Sequence, residues 1–221
     1  MTEYRQSRFR PPRGAADLLL IRHGESEPAV MGKPFPMKDG HGDPALHPDG
    51  EAQARALADR LADAPLAALY VTTLRRTHQT AAPLAARKGM TPIIEADLRE
   101  VCLGEWDGGL YRQKAAERDP VFLKALYDGE WGHIPGAETT AQVNQRVERG
   151  LRRVAQAHPD QQVACFVHGG IIATALSLAT KSMTFAFMGA ANASISRLII
   201  TPDYMQVRGF NDTNHLPDHL V

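Results

Sequence analysis

At 221 residues the chain is long enough for one substantial α/β domain or two small ones. Apolar residues make up 43% and charged residues 23%, which is ordinary for a soluble globular protein. Lys plus Arg number 25 and Asp plus Glu 25, so the net charge is zero; that argues against a global nucleic-acid or polyanion binder, and any anion affinity has to come from a local cluster.

The first fifteen residues, MTEYRQSRFRPPRGA, are rich in arginine and lack the apolar segment of a secretory signal. Residues 1–15 therefore read as a disordered arm, with a transit peptide as the weaker alternative, and residues 16–221 as a single domain. The apolar run DLLLIR, 17–22, has strand length and suits a strand covered on both faces of a parallel sheet. Residues 27–46, rich in Pro, Gly and charge, read as a long loop, of a length that often serves as a lid. In 47–63, Ala54, Leu57, Ala58 and Leu61 recur at helical spacing and predict an amphipathic helix.

LAALYV, 66–71, predicts a second strand, and 74–89 a helix stopped by Gly89, with Pro83 as a candidate kink. TPIIEA predicts a short strand, and residues 97–108 a loop with aromatic and acidic content. Asp119-Pro120 reads as a helix cap followed by proline at the first helical position. Residues 137–158 carry Val143, Val147, Leu151 and Val154 on one stripe and are the clearest helix. QVACFV, 162–167, predicts a third buried strand, GIIATALSLAT the helix after it, and SISRLIITP with MQVRGFN a terminal hairpin. Residues 163–180 approach membrane-span length, but His168 and a Gly-Gly pair split them into strand, turn and helix, so no membrane partner is expected. The two cysteines, Cys102 and Cys165, make no disulfide framework; buried free thiols in a reducing compartment, the cytoplasm, fit better.

Strands alternating with helices imply an α/β sheet, whose ligands bind beyond the carboxyl ends of the strands. Three predicted strands deliver basic groups to that edge. LLLI ends at Arg22-His23-Gly24, LYV ends at Thr72 with Arg75-Arg76 just beyond, and CFV ends at His168-Gly169-Gly170. Taken singly, each is as readily a core histidine, a solvated arginine or a tight turn. Together, two histidines and two arginines around glycine-led helix starts describe a phosphate-sized anion site.

The ordered blocks LLLIRHGE, LHPDGEAQA, TTLRRTHQTA, LREVCLGEWDG, PGAET and FVHGGII, spanning residues 17–172, resemble the histidine phosphatase superfamily, the clan of phosphoglycerate mutases and related acid phosphatases. The resemblance implies a three-layer α/β/α sandwich with a mostly parallel central sheet and helices on both faces. It implies a metal-independent phosphomonoester hydrolase that works through a covalent phosphohistidine on a small phosphorylated metabolite, with no cofactor. It assigns nucleophilic attack to His23, charge stabilisation to Arg22, Arg76 and His168, and the proton transfer to Glu100. Substrate contacts are expected from Arg22, Gly24, Arg76, His168 and Gly169, with no metal ligand. Arg76 is preferred over Arg75 because the family places its arginine two residues after the leucine, here Leu74. Glu105 and Asp107 rival Glu100 but read better as loop solubility. Glu25 is given a structural role, and Glu138 reads slightly better as a helix-start charge than as a partner of an active-site arginine.

Departures from the pattern are visible. Ala29 stands where many members have an asparagine that contacts phosphate. His41 and His47 border the expected pocket but read as exposed loop histidines. His215 and His219 have ligand-like spacing that Pro217 spoils. Phosphoglycerate mutase is an alternative, against which residues 108–135 are short; a catalytically weak phospho-ligand binding module is another, to which Ala29 lends a little support. Lys33, Lys38, Trp106, Tyr111 and Trp131 could meet a leaving group or simply pack. The oligomeric state is open, a homodimer included.

Overall fold

A computed structural model describes residues 3–221. The chain runs β1 (Ala16–Arg22), a small pair β2 (Met37–Lys38) and β3 (His41–Gly42), α1 (Pro48–Arg60), β4 (Leu66–Val71), α2 (Arg75–Lys88) and β5 (Ile93–Ile94). It continues with α3 (Leu110–Ala116), α4 (Pro120–Asp128), α5 (Thr140–Ala157), β6 (Gln162–Val167), α6 (Gly169–Thr180), β7 (Ile195–Ile200) and β8 (Met205–Asp212). Six strands form the central sheet in the order β5-β4-β6-β1-β7-β8. β5, β4, β6 and β1 are mutually parallel, while β7 and β8 add an antiparallel margin. The expected mostly parallel sheet with helices on both faces is what the chain builds.

Alternation along the buried strands sorts the core into two layers. Leu18, Leu20, Val163, Cys165 and Val167 face α5 and α6, where the Val143, Val147, Leu151 and Val154 stripe meets Ile172 and Leu176. Leu19, Ile21, Ala164, Phe166 and Val71 face α1 and α2, and pack with Leu57, Ala58, Ala81 and Leu84. β1 and β6 are therefore buried on both sides, and this is why residues 18–21 and 163–167 read as unbroken apolar runs.

Local chemistry sets the helix ends. His47 Nδ1 accepts from Asp49 N–H at 3.3 Å to cap α1, and Asp119 Oδ1 accepts from Val121 N–H at 2.8 Å to cap α4. Thr139 and Gln142 form a reciprocal capping box on α5. Gly89, at φ 63°, closes α2, which runs through Pro83 without stopping.

Four features depart from the sequence expectation. The 27–46 loop contains the β2–β3 pair, and residues 97–108 are wound into short 3₁₀ turns. α3 follows Gly109 at φ 108° and buries no residue fully, so it carries no apolar stripe to announce it. Cys165 is fully buried, whereas Cys102 is only half-buried on its loop. The expected N-terminal arm lies partly outside the described residues; residues 3–12 are exposed without helix or strand, with Arg208 stacked over the Phe9 ring at 3.7 Å. Among the described residues no helix is long and apolar enough to cross a membrane.

Candidate active site

Because β4, β6 and β1 are parallel neighbours, their carboxyl ends lie side by side, and Thr72, His168 and Arg22-His23 leave the sheet along one edge. His23 is only 5% exposed. Its Nδ1 sits 2.7 Å from Gly24 O, and a carbonyl only accepts, so Nδ1 carries the proton and Nε2 is left with its lone pair. Arg76 Nε donates to that Nε2 at 3.2 Å. Burial, reinforced by the charges of Arg76 and Arg22, holds the imidazole neutral well below the ordinary histidine range.

Arg76 is the second residue of α2 and is 6% exposed. Its Nη1 donates to Gly42 O at 2.9 Å, and Asp43 lies 4.0 Å away. Asp43 also accepts from Arg75 N–H at 2.8 Å, so one carboxylate fixes both the start of α2 and the arginine after it. Burial lowers the Arg76 guanidinium to about 10, which leaves it charged at neutral pH. Arg22 donates Nη1 to Ala190 O at 2.5 Å, while its buried Nε finds no protein partner.

His168 is fully buried, with its ring 5.2 Å from that of His23 and inclined at 62°. Its Nε2 meets Thr72 Oγ1 at 3.0 Å, and its Nδ1 has no protein partner. Thr72 Oγ1 in turn touches Thr77 Oγ1 at 3.2 Å, while Thr77 donates to Leu74 O at 2.8 Å. After His168, the N–H groups of Gly169, Gly170 and Ile171 precede the first bond of α6, from Ile172 N–H to His168 O.

A cavity of 340 Å³ opens here, with Arg22, His23, Arg76, Glu100, Gly169 and Gly170 in its wall. Glu100 Oε1 accepts from Val101 N–H at 3.0 Å, and a Cβ on Gly170 would come within 2.7 Å of it. Glycine at position 170 is what lets this carboxylate rest against the α6 N-terminus. Residues 18–213 match the family described as Histidine phosphatase superfamily (branch 1).

The chain belongs to the histidine phosphatase superfamily. It is 29% identical to phosphoserine phosphatase 1 of Hydrogenobacter thermophilus over 92% of this chain and 96% of that protein. It is 30% identical to phosphoglycerate mutase-like protein 4 of Arabidopsis thaliana over 71% of this chain and 68% of that one. A mycobacterial glucosyl-3-phosphoglycerate phosphatase superposes with a TM-score of 0.75 at 25% identity, covering 90% of this chain and 100% of the other.

Within this superfamily frame, several expected residues stand elsewhere than the sequence suggested. Gly24 is not part of the cavity wall: its N–H is taken by Thr80 Oγ1 at 2.9 Å and its carbonyl by His23, so it holds the histidine instead. His168 lies behind the wall rather than in it. His41 is not an exposed loop histidine; it is 3% exposed and lines the cavity, with Nδ1 donating to Asp39 O at 2.9 Å. His47 is half-exposed and capping α1. Asp107 is no free loop carboxylate either, since its oxygens accept from Gly42 N–H at 2.9 Å and Leu103 N–H at 2.7 Å, tying the 27–46 loop to the Glu100 loop.

Glu138 stands just before the Thr139 cap of α5, at the helix start, and pairs with Arg146 rather than with an arginine of the cavity wall. It accepts from Arg146 Nε at 2.7 Å and Nη2 at 2.8 Å, and from Cys102 N–H at 2.8 Å. Arg146, 5% exposed, spends its remaining donors on the carbonyls of Asp97, Arg99 and Glu100, at 2.7 to 3.0 Å. This buried clamp shapes the loop that carries Glu100. Glu25 keeps its carboxylate exposed and works through its backbone, which bonds Gln53 and His47.

Sequence reasoning missed Arg112, Thr72 and Arg146. Arg112 borders the cavity, donates to Ser26 Oγ at 2.7 Å and Glu27 O at 2.8 Å, and lowers the proton affinity of His23. It brings a further guanidinium to the loop bearing Ala29. Its position on α3, without motif or periodicity, gave no signal. Among the described residues one set of three side chains, Glu25, His47 and Asp49, brings ligand-type atoms within 4.8 Å, but it is solvent-facing and His47 Nδ1 is engaged as a cap.

Proposed function

We propose that the protein is a phosphomonoester hydrolase that acts through a phosphohistidine at His23, without a metal, on a small phosphorylated metabolite. The observation that carries this is the 2.7 Å bond from His23 Nδ1 to Gly24 O, which commits Nε2 to the role of acceptor. In the first step the Nε2 lone pair forms a bond to phosphorus, the bond from phosphorus to the ester oxygen breaks, and the Glu100 carboxyl proton passes to the departing oxygen. In the second, water attacks phosphorus, the phosphorus–Nε2 bond breaks, and Glu100 takes the water proton, releasing phosphate and restoring His23.

Arg22 and Arg76, with the N–H groups at the start of α6, face the phosphoryl oxygens, and such fixed donors are typically the largest contribution to rate. Arg112 supplements them in the corner that Ala29 leaves without an amide. His168 assists if its Nδ1 bears the proton. Thr72 Oγ1 receives Leu74 N–H at 3.3 Å, and in this reading its one hydroxyl proton goes to His168 Nε2 at 3.0 Å rather than to Thr77 Oγ1 at 3.2 Å, which places the imidazole proton on Nδ1. The test is release of p-nitrophenol from p-nitrophenyl phosphate in the presence of EDTA. Turnover unaffected by chelation supports the reading; absence of turnover across mildly acidic to neutral pH contradicts it, and loss on chelation contradicts its metal independence.

A further inference from the structure

The cavity divides by chemistry. Its cations gather where the phosphoryl group sits: Arg76 on His23 Nε2, Arg22 beside Gly169, and Arg112 drawn by its terminal nitrogens to Ser26 and Glu27. Beyond Glu100 the wall changes. Tyr111 and Glu100 border the same cavity, where burial and then the charge of Glu100 push the Tyr111 phenol up to about 12. The ring of Trp131 lies 3.5 Å from where a Gly170 Cβ would be, so it flanks the acid from the α6 side. The two rings are 6.2 Å apart, and Val101, Leu103 and Met188 add apolar surface to the same cavity wall, whereas Phe35 lies against Arg112 at 5.2 Å. No lysine borders the cavity, and the other carboxylate there, Asp107, already holds two backbone N–H groups. Lys33 lines the adjoining cavity instead.

From this partition we infer that the substrate's leaving group is uncharged and predominantly apolar, an alcohol with a ring or hydrocarbon body that lies between Tyr111 and Trp131. The inference rests on the phosphohydrolase reading and deepens it. The leaving group has to be on this side because Glu100 must reach its oxygen. An alcohol bearing a carboxylate or a second phosphate would be desolvated there beside Glu100 and would find no cation. An aromatic or hydrocarbon body would instead exchange water for ring faces.

The experiment compares three primary alkyl phosphates of similar leaving-group basicity: 2-phenylethyl phosphate, glycerol 3-phosphate and 3-phosphoglycerate. The phenylethyl ester is expected to lead in kcat/KM by roughly tenfold over the glycerol ester, mainly through KM, with 3-phosphoglycerate last. Tyr111→Lys, which sets a cation beside the acid, is expected to narrow the gap between the phenylethyl ester and 3-phosphoglycerate by roughly tenfold; Tyr111→Leu, which keeps the wall apolar, is expected to retain the order. Near-ultraviolet dichroism checks that both variants fold. Wild-type turnover with the glycerol ester or 3-phosphoglycerate in front overturns this inference and leaves the phosphohydrolase reading standing. No turnover of any of the three, and none of p-nitrophenyl phosphate, overturns both.

Discussion

Arg76 donates its Nε–H to His23 Nε2 across 3.2 Å, while Gly24 O holds the opposite nitrogen of the same ring. The imidazole is thus gripped at both ends. One grip fixes the tautomer, and the other places a permanent cation on the lone pair proposed to attack phosphorus. In the proposed reaction the Arg76 donor transfers to a phosphoryl oxygen on substrate binding, so the guanidinium acts as a placeholder for the group it is proposed to stabilise.

Replacing Arg76 with lysine keeps the charge but removes the planar donor that reaches His23 and Gly42 O together. The expected outcome is a fall in kcat of about 10²–10³, the usual cost of one fixed donor to a developing anion. Steady-state kinetics on p-nitrophenyl phosphate measures it, and a change smaller than about threefold would remove Arg76 from the phosphoryl site.

Gly170→Ala aims at Glu100 without touching it. The new methyl would lie 2.7 Å from Glu100 Oε1, the far end of a side chain that can swing aside, and 3.2 Å from Val101 Cγ2. The fold should survive while the carboxyl is displaced. Hydrolysis of alkyl phosphates, which need a proton on leaving, should drop by roughly 10². p-Nitrophenyl phosphate, whose phenolate leaves unaided, should be hydrolysed nearly as fast as before. Equal losses on both substrates would mean that Glu100 is not the acid.

The buried clamp behind that loop makes a stability prediction. Arg146 is almost wholly out of water and Glu138 mostly so, so Glu138→Ala leaves a buried guanidinium without its counter-charge and should cost roughly 3–5 kcal/mol. The double change Arg146→Met with Glu138→Leu should recover part of that loss, because no unpaired charge remains. Denaturant melts of the variants read the difference; a single substitution costing under about 1 kcal/mol would show the clamp to be peripheral.

pH should act through His23 and His168. Burial, followed for each by the charge of Arg76, holds both neutral well below the usual histidine range. The unfolded chain takes up protons below a pH of about 6.5 and the folded one does not, so stability is full above that point and is lost as the pH falls. Each histidine contributes a slope of roughly 1.4 kcal/mol per pH unit until its folded value is reached. Urea midpoints followed from about pH 7 to about pH 5 should therefore decline, and His23→Gln should make the decline shallower. An unchanged slope in that variant would mean that His23 is protonated in the fold.

The parts of this fold that were legible in the sequence are those whose physics is local or doubly buried. Residues 18–21 and 163–167 lie at the centre of the sheet with helices on both faces, so every one of them had to be apolar. The Val143–Val154 stripe, Gly89 and Asp119 announce themselves by periodicity and by cap chemistry. The strand-end rule likewise brought Arg22, His23 and His168 to one edge. What stayed hidden depends on contacts between distant segments. β2 and β3 have two residues each and exist because Asp107, some sixty-five positions on, holds Gly42 N–H. Arg112 sits on a helix with no apolar stripe, and nothing near His41 or Glu138 in sequence foretells that one is buried in the cavity wall and the other locked to Arg146.

The central claim is that phosphorus becomes bonded to His23 Nε2. Mixing the protein with p-nitrophenyl phosphate, quenching in alkali within the first turnover and mapping the phosphorylated peptide by mass spectrometry tests it directly. The account predicts one base-stable, acid-labile phosphoryl group on the peptide containing His23, absent in His23→Ala. Turnover by a folded His23→Ala protein, or a phosphoryl group found on another side chain, would contradict it.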